Sequence, residues 1–86
     1  MTLFVDALGT WCPVPIRLLE AAFARAQAGA VAELLADDPL IAVDLPAWCH
    51  RRGAQLVALD EGSDGIFRAV VRDVKYAPDK GIVRRT

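Results

Sequence analysis

The sequence predicts a small α/β domain in which one layer of helices covers one sheet, with its elements in the order βαβαββ. Three observations lead there. The chain has 86 residues, 55% of them hydrophobic, which is enough for one packed core but not for a core plus a separate substrate domain. Two stretches with apolar residues at helical spacing lie among four short β-prone runs. Finally, the second of those runs directly follows a helix that itself follows a strand, the pattern of a βαβ unit with parallel strands and a right-handed crossover.

The elements follow in order. Thr2 to Val5 is a short β-prone run, and Asp6 to Trp11 is a loop containing Gly9. Helix 1 begins near Pro13, since proline suits a first turn where its missing N–H would have had no partner. From Ile16 to Ala28 the residues Ile16, Leu19, Ala22, Phe23 and Ala26 form one buried stripe. Arg17, Glu20, Arg25 and Gln27 are left for solvent, and Gly29 is the expected stop. Val31 to Ala36 is apolar apart from Glu33 and ends at Asp37-Asp38-Pro39, where either aspartate can cap a following turn.

Ile41, Leu45, Trp48 and Cys49 then share a helical stripe. Pro46 either kinks a helix running from Pro39 to Arg52 or sits in the first turn of a shorter helix capped by Asp44. The shorter helix, ending at Gly53, is preferred. Gln55 to Asp60 and Ile66 to Val74 read as strands joined by the hairpin loop Glu61 to Gly65. In the last strand Arg68 and Arg72 share a face with Ile66 and Val70, opposite Phe67, Ala69 and Val71, so the outer face of the sheet is only partly polar. Residues 1–75 are expected to form the domain. The polar stretch 76–86, with Pro78 and Gly81, reads as a loosely held tail in which Ile82 and Val83 are candidates for a short terminal extension.

A net charge of −1 gives no global basic signature, so no direct nucleic-acid partner is expected. No apolar run approaches the roughly 20 residues needed to cross a bilayer, and the N-terminus lacks a secretory pattern. The expected address is the cytoplasm, with no membrane partner. Cysteines there normally stay reduced, and two of them make no disulfide scaffold.

The stretch Cys12-Pro13-Val14-Pro15 carries the chemistry. With helix 1 starting near Pro13, Cys12 falls at the N-cap, where unpaired first-turn donors and the macrodipole favour an anion such as a thiolate. Pro13 and Pro15 remove two of those donors, so the N–H groups of Val14 and of Cys12 itself are the ones expected nearest the sulfur. A pKa lowered from about 8.5 to about 7 would raise the thiolate fraction at neutral pH from a few per cent to roughly half. The alternative is a structural cysteine that happens to cap a helix.

At this point the chain resembles the TusA/SirA-like sulfur-carrier proteins, from about Leu3 to Val74. Val5-Asp6-Ala7-Leu8-Gly9-Thr10-Trp11-Cys12-Pro13-Val14-Pro15 is similar to the family signature, in which an aspartate and a glycine lead to a Cys-Pro-X-Pro motif. Asp37-Asp38-Pro39, Asp44-Leu45-Pro46 and Gly53 match its later landmarks. The resemblance implies a two-layer α+β sandwich, a four-stranded mixed sheet with two helices on one face. It implies that Cys12 accepts sulfane sulfur as a persulfide from a cysteine desulfurase or a rhodanese-like donor sulfurtransferase. The acceptor would be a sulfur-relay protein, DsrE-like or other, and no cofactor is implied. Val14 stands where tRNA-thiolation members typically carry glutamate, and Trp11 where many members have a basic or polar residue. Both make the surroundings of Cys12 more apolar and leave donor, acceptor and pathway open.

Other residues have two readings each. Cys49, on an apolar stripe, is read first as a small buried hydrophobe and second as a resolving thiol for Cys12. Cys12, Cys49 and His50 do not make a credible zinc set, so no metal is expected. His50, Arg51 and Arg52 read as a solvated basic helix end. Arg17 is either a cation acting on Cys12 or docking an acidic partner, or a plain surface arginine. Gly9 gives the loop room beside Cys12, Asp6 orders it, and Trp11 is a core residue or, preferably, a partner contact. Three classes follow: a persulfide carrier, a non-catalytic interaction module of the same fold, and a two-thiol redox protein using Cys12 and Cys49.

Overall fold

A computed structural model of the chain describes residues 2–27 and 29–73. Its elements are β1 (Thr2–Asp6), α1 (Val14–Ala24), β2 (Val31–Ala36), α2 (Ile41–Arg52), β3 (Gln55–Glu61) and β4 (Phe67–Arg72). The sheet order is β1-β2-β4-β3. β1 and β2 are parallel, whereas β4 runs antiparallel to both β2 and β3, so the sheet is mixed. The expected βαβαββ order and the parallel β1–α1–β2 unit are both present.

Strand alternation sets the two faces. β2 buries Ala32, Leu34 and Ala36, and β4 buries Phe67, Ala69 and Val71, while Arg68 and Arg72 point to solvent beside half-buried Val70. The helices cover the apolar face through Pro15, Ile16, Leu19 and Phe23 of α1 and Ile41, Leu45, Trp48 and Cys49 of α2. α1 packs on β1 and β2, and α2 on β3 and β4. Burying each large aliphatic side chain at the centre, such as Leu19, Leu34, Ile41 and Leu45, contributes about 1.5–3 kcal/mol.

Several boundaries differ from the sequence reading, by one residue at the end of β1, the end of β3 and the start of β4 and by more elsewhere. α1 ends at Ala24, four residues early; the Arg25 N–H, at the C-cap, donates to the Ala22 carbonyl at 3.3 Å and the Ala26 N–H to the Phe23 carbonyl at 3.1 Å. Ala26 still packs half-buried against the core after the helix has ended, which is why the apolar stripe outlasts the helix. Ala28 lies outside the described residues, and Gly29 (φ +88°) donates its N–H to the Asp73 carbonyl at 2.7 Å.

α2 starts at Ile41, not at a cap on Asp44. The Asp38 carboxylate accepts the Leu40 N–H at 3.1 Å, and the Ile41 N–H bonds the Asp38 carbonyl at 3.0 Å, so the turn is already closed before Asp44. Pro46 is therefore inside the helix and deprives the Ala42 carbonyl of its usual donor. The far end is as expected. Gly53 (φ +81°) takes a left-handed conformation open to glycine, and its N–H and that of Ala54 both bond the Cys49 carbonyl at 2.9 Å. β4 stops at Arg72; Val74, Lys75 and the expected tail 76–86, with Ile82 and Val83, lie outside the described residues.

Arg52 is not a solvated cap residue. It pairs with buried Asp73 at 3.2 Å, and its guanidinium lies 5.6 Å from the Phe23 ring centre and 5.3 Å from that of Trp48. The two rings are parallel at 6.5 Å, and the Trp48 indole donates to Glu20 at 2.9 Å. One basic side chain thus ties α2 to α1 and to the end of β4. Among the described residues no helix is long and apolar enough to cross a membrane.

Candidate functional site

Parallel pairing of β1 and β2 makes both strands end at the same edge of the sheet, with Asp6 opposite Leu35. Two loops therefore leave side by side: Ala7 to Pro13, carrying Cys12, and Asp37 to Leu40, leading into α2. Loop-forming residues hold the first one. Leu8 N–H donates to the Asp6 carboxylate at 3.1 Å, and the Thr10 hydroxyl donates to the Ala7 carbonyl at 2.7 Å. Gly9, at φ +79°, supplies the left-handed turn.

Two adjacent aspartates then tie this loop to its neighbour. The Gly9 N–H donates to Asp37 Oδ1 at 3.1 Å, and the Cys12 N–H donates to Asp38 Oδ2 at 2.8 Å. Asp38 thus uses one oxygen for Cys12 and the other for Leu40, and these two backbone donors hold its carboxyl below the usual carboxylate range. An open groove lined by Gly9, Thr10, Trp11, Asp37, Asp38 and Pro39 runs beside the cysteine.

Cys12 lies one residue ahead of the expected position. The N-cap is Pro13 and the helix begins at Val14, with Pro15 in the first turn; the Cys12–Pro13 peptide bond is cis. Neither donor expected near the sulfur is available to it. The Val14 N–H bonds the Trp11 carbonyl at 2.7 Å, and the Cys12 N–H is held by Asp38.

The electrostatics reverse the expectation of a lowered pKa. The Cys12 thiol is pushed up from an ordinary 9.0 to about 11, first by desolvation, then by hydrogen bonding to the Asp44 carboxylate and by the negative charges of Asp44 and Asp38. A shift in that direction favours the protonated thiol at neutral pH. Asp38 and Asp44, read from the sequence as helix caps and as landmarks of the resemblance, are thus the residues whose effect on Cys12 sequence reasoning missed. The parallel β1–α1–β2 unit was the available signal, because it places the turn after β2 next to the loop after β1.

The remaining candidates are spread around this point. Trp11 is 77% exposed, so it is not a core residue, and Val14 is 38% exposed on the other side of Cys12. Arg17 is exposed one turn into α1 and is absent from the charges that act on the sulfur. Cys49 is 3% exposed within the core, where desolvation alone raises its pKa. Both cysteines are free. Among the described residues no three His, Cys, Asp or Glu side chains cluster as a metal site.

With this geometry the chain matches known proteins over nearly all of its described length. The family model for the sulfurtransferase TusA covers residues 3–73. An Archaeoglobus fulgidus protein, provisionally named a sulfur carrier, is 37% identical over 71 residues, which are 83% of this chain and 92% of that one. The sulfur carrier protein TusA of Pseudomonas syringae is 32% identical over 68 residues, 79% of this chain and 80% of its own length. The crystal structure of a SirA-like protein from Desulfitobacterium hafniense superposes with a TM-score of 0.69 at 28% identity, covering 87% of this chain and all of that one. A mixed four-stranded sheet under two helices, with a cysteine loop at the end of its parallel pair, therefore belongs to a member of the TusA/SirA-like family of sulfur carriers.

Proposed function

We propose that Cys12 is the sulfur-bearing residue and carries sulfane sulfur as a persulfide between a donor and an acceptor protein. The observation that carries this reading is its position: of the two cysteines, Cys12 alone lies on a rim between exposed residues, Trp11 and Pro13. Its backbone is meanwhile fixed by the Asp38 bond. In the first step the Cys12 sulfur attacks the outer sulfur of a donor persulfide. A new S–S bond forms, the donor's own S–S bond breaks, and the donor sulfur leaves as a thiolate that takes up a proton in place of the one Cys12 gave up. In the second step an acceptor thiol attacks the outer sulfur and Cys12 departs as the thiol. No net oxidation occurs, and the exchange needs neither metal nor cofactor.

The raised pKa alters one part of this scheme. The attacking thiolate is not waiting in the free protein, so the proton leaves during the encounter, when a partner covers the site. A donor sulfurtransferase or cysteine desulfurase supplies the sulfur, and a relay protein, DsrE-like or other, receives it. Exposed Trp11 and Val14 favour a partner with an apolar contact surface, Arg17 one with an acidic group at its edge, and Gly9 allows close approach. We place this exchange in the cytoplasm, within the domain 1–75. Cys49, enclosed by the core, gives the two-thiol reading no support.

Incubation with a cysteine desulfurase plus cysteine, or with polysulfide, should add about 32 Da per sulfur to the protein, and Cys12→Ser should take up none. Equal uptake by wild type and Cys12→Ser would show that Cys12 is not the carrier. The interaction-module alternative predicts no adduct on either protein.

A further inference from the structure

The groove beside the cysteine loop has chemically mixed walls. Gly9, Thr10 and Trp11 come from one loop and Asp37, Asp38 and Pro39 from the other, around a volume of about 250 Å³. Trp11 is 77% exposed and Pro39 is exposed as well, so the apolar part is open to solvent. The polar part is two carboxylates with different commitments. Asp38 gives one oxygen to the Cys12 N–H at 2.8 Å and the other to the Leu40 N–H at 3.1 Å, which fixes it in place. Exposed Asp37 uses only Oδ1, for the Gly9 N–H at 3.1 Å. Among the described residues its Oδ2 has no hydrogen-bond donor, and neither aspartate has an ion-pair partner. An indole beside a carboxylate is a combination this chain already uses elsewhere: the Arg52 guanidinium lies 5.3 Å from the Trp48 ring centre and pairs with Asp73 at 3.2 Å. There the cation comes from the chain itself. In the groove, none of the described residues supplies one.

The geometry points to this groove as the docking site for a lysine or arginine side chain that a partner protein carries next to its own reacting cysteine. A long basic side chain suits both kinds of wall: its methylene stem lies along Pro39 while its charged head meets the Trp11 ring and Asp37 Oδ2 together. An acidic side chain would meet two negative charges, and a short apolar one would leave both carboxylates unanswered. Arg17, on α1, does not line the groove and does not compete for it. Position adds a constraint. Asp38 is bonded to the N–H of Cys12 itself, so a cation held in the groove sits beside the cysteine that reacts. The basic residue must therefore be close to the partner's cysteine. The inference rests on the reading of Cys12 as the carrier and deepens it, by naming the feature through which this surface chooses among thiol-bearing proteins.

Three blocked peptides test it, identical except that arginine, glycine or glutamate precedes a cysteine whose sulfur carries thionitrobenzoate. Cys12 gives its proton to the buffer and its sulfur attacks the peptide sulfur. A Cys12–peptide S–S bond forms, the peptide's own S–S bond breaks, and thionitrobenzoate leaves with the electron pair. Its colour gives the rate on the full chain. Cys12→Ser supplies the background from buried Cys49, and β-mercaptoethanol the intrinsic reactivity of each peptide. After that correction the arginine peptide should react about fivefold faster than the glycine peptide, and the glutamate peptide more slowly than both. Asp37→Asn, which keeps the oxygen that holds the Gly9 N–H, and Trp11→Ala should each cut the arginine-to-glycine ratio by about half or more. High salt should shrink it in wild type, and Asp60→Asn, at an exposed position of β3, should leave it unchanged. Equal rates for the three peptides, as when the chain's own residues fill the groove, overturn the inference. So does a ratio that either folded variant leaves at the wild-type value. Cys12→Ser taking up sulfur as wild type does would overturn the carrier reading and leave the peptide preference standing, so the two failures are separable.

Discussion

The two ends of α2 do opposite things. At its start the Asp38 carboxylate holds the Cys12 backbone N–H, and its negative charge, with that of Asp44, helps to raise the pKa of the thiol. At its finish Arg52 is paired with Asp73 and packed over Phe23 and Trp48, and the chain is closed off by Gly53. One helix thus starts beside the cysteine loop and is anchored at its other end by an ion pair and two aromatic rings. The lesson is that residues of similar chemistry a few turns apart separate into reactivity and stability according to what already compensates them.

Substitutions at the two ends should split cleanly into these effects. The largest change is expected at the reactive end, where Cys12→Ser should lose all sulfur uptake by mass yet alter denaturant stability by no more than about 0.5 kcal/mol. At the anchored end Arg52→Ala should cost about 3–5 kcal/mol in urea unfolding, because it leaves the Asp73 carboxylate buried without its partner. Its folded fraction should still accept sulfur. Cys49→Ser should cost about 1–3 kcal/mol by burying a hydroxyl in an apolar place, again with the persulfide adduct intact. If either of these variants folded and failed to take sulfur, the separation of the two ends would be wrong.

Smaller effects follow from pH and from the rim. A thiol whose pKa is raised in the folded state keeps its proton there while the unfolded chain loses its own. The contribution of Cys12 is therefore fully present below about pH 9 and is lost as pH rises from 9.0 towards about 11. Comparing wild type with Cys12→Ser in urea at pH 8 and pH 10.5 should show wild type losing more stability. Trp11→Ala should be the mildest for the fold, within about 0.5 kcal/mol, since the side chain is 77% exposed. Its expected effect is a slower sulfur transfer from a protein donor with unchanged uptake from polysulfide.

Much of the architecture was legible from local pattern. The run Val31–Ala36 is β2 to the residue, and Gly53 stops α2 where its left-handed φ requires a glycine. Boundaries failed where one residue type serves two structures. Ala26 fits a helical stripe and a packed turn equally well, so α1 looked longer than it is. Pro46 looked like a helix start because proline usually is, whereas Asp38 and Pro39 had already closed the turn before it. The site failed for a different reason. A helix end considered alone offers positive potential, and that argument led to a thiolate; the groups that decide the outcome arrive from α2 and the turn before it, 26 positions away in the case of Asp38. Periodicity gives no account of fields that cross between elements.

The pairing of β3 with β4 shifts register between Leu56 and Ala58, leaving Val57 outward and 54% exposed. β3 is an outer strand of the sheet, and an extra residue there bends and twists the ladder. A flat free edge would template the addition of another chain, strand by strand. The irregularity, with Asp60 and Glu61 following it, makes that edge a poor template. Lasting strand-to-strand pairing between copies of the chain is thereby disfavoured along that side of the sheet.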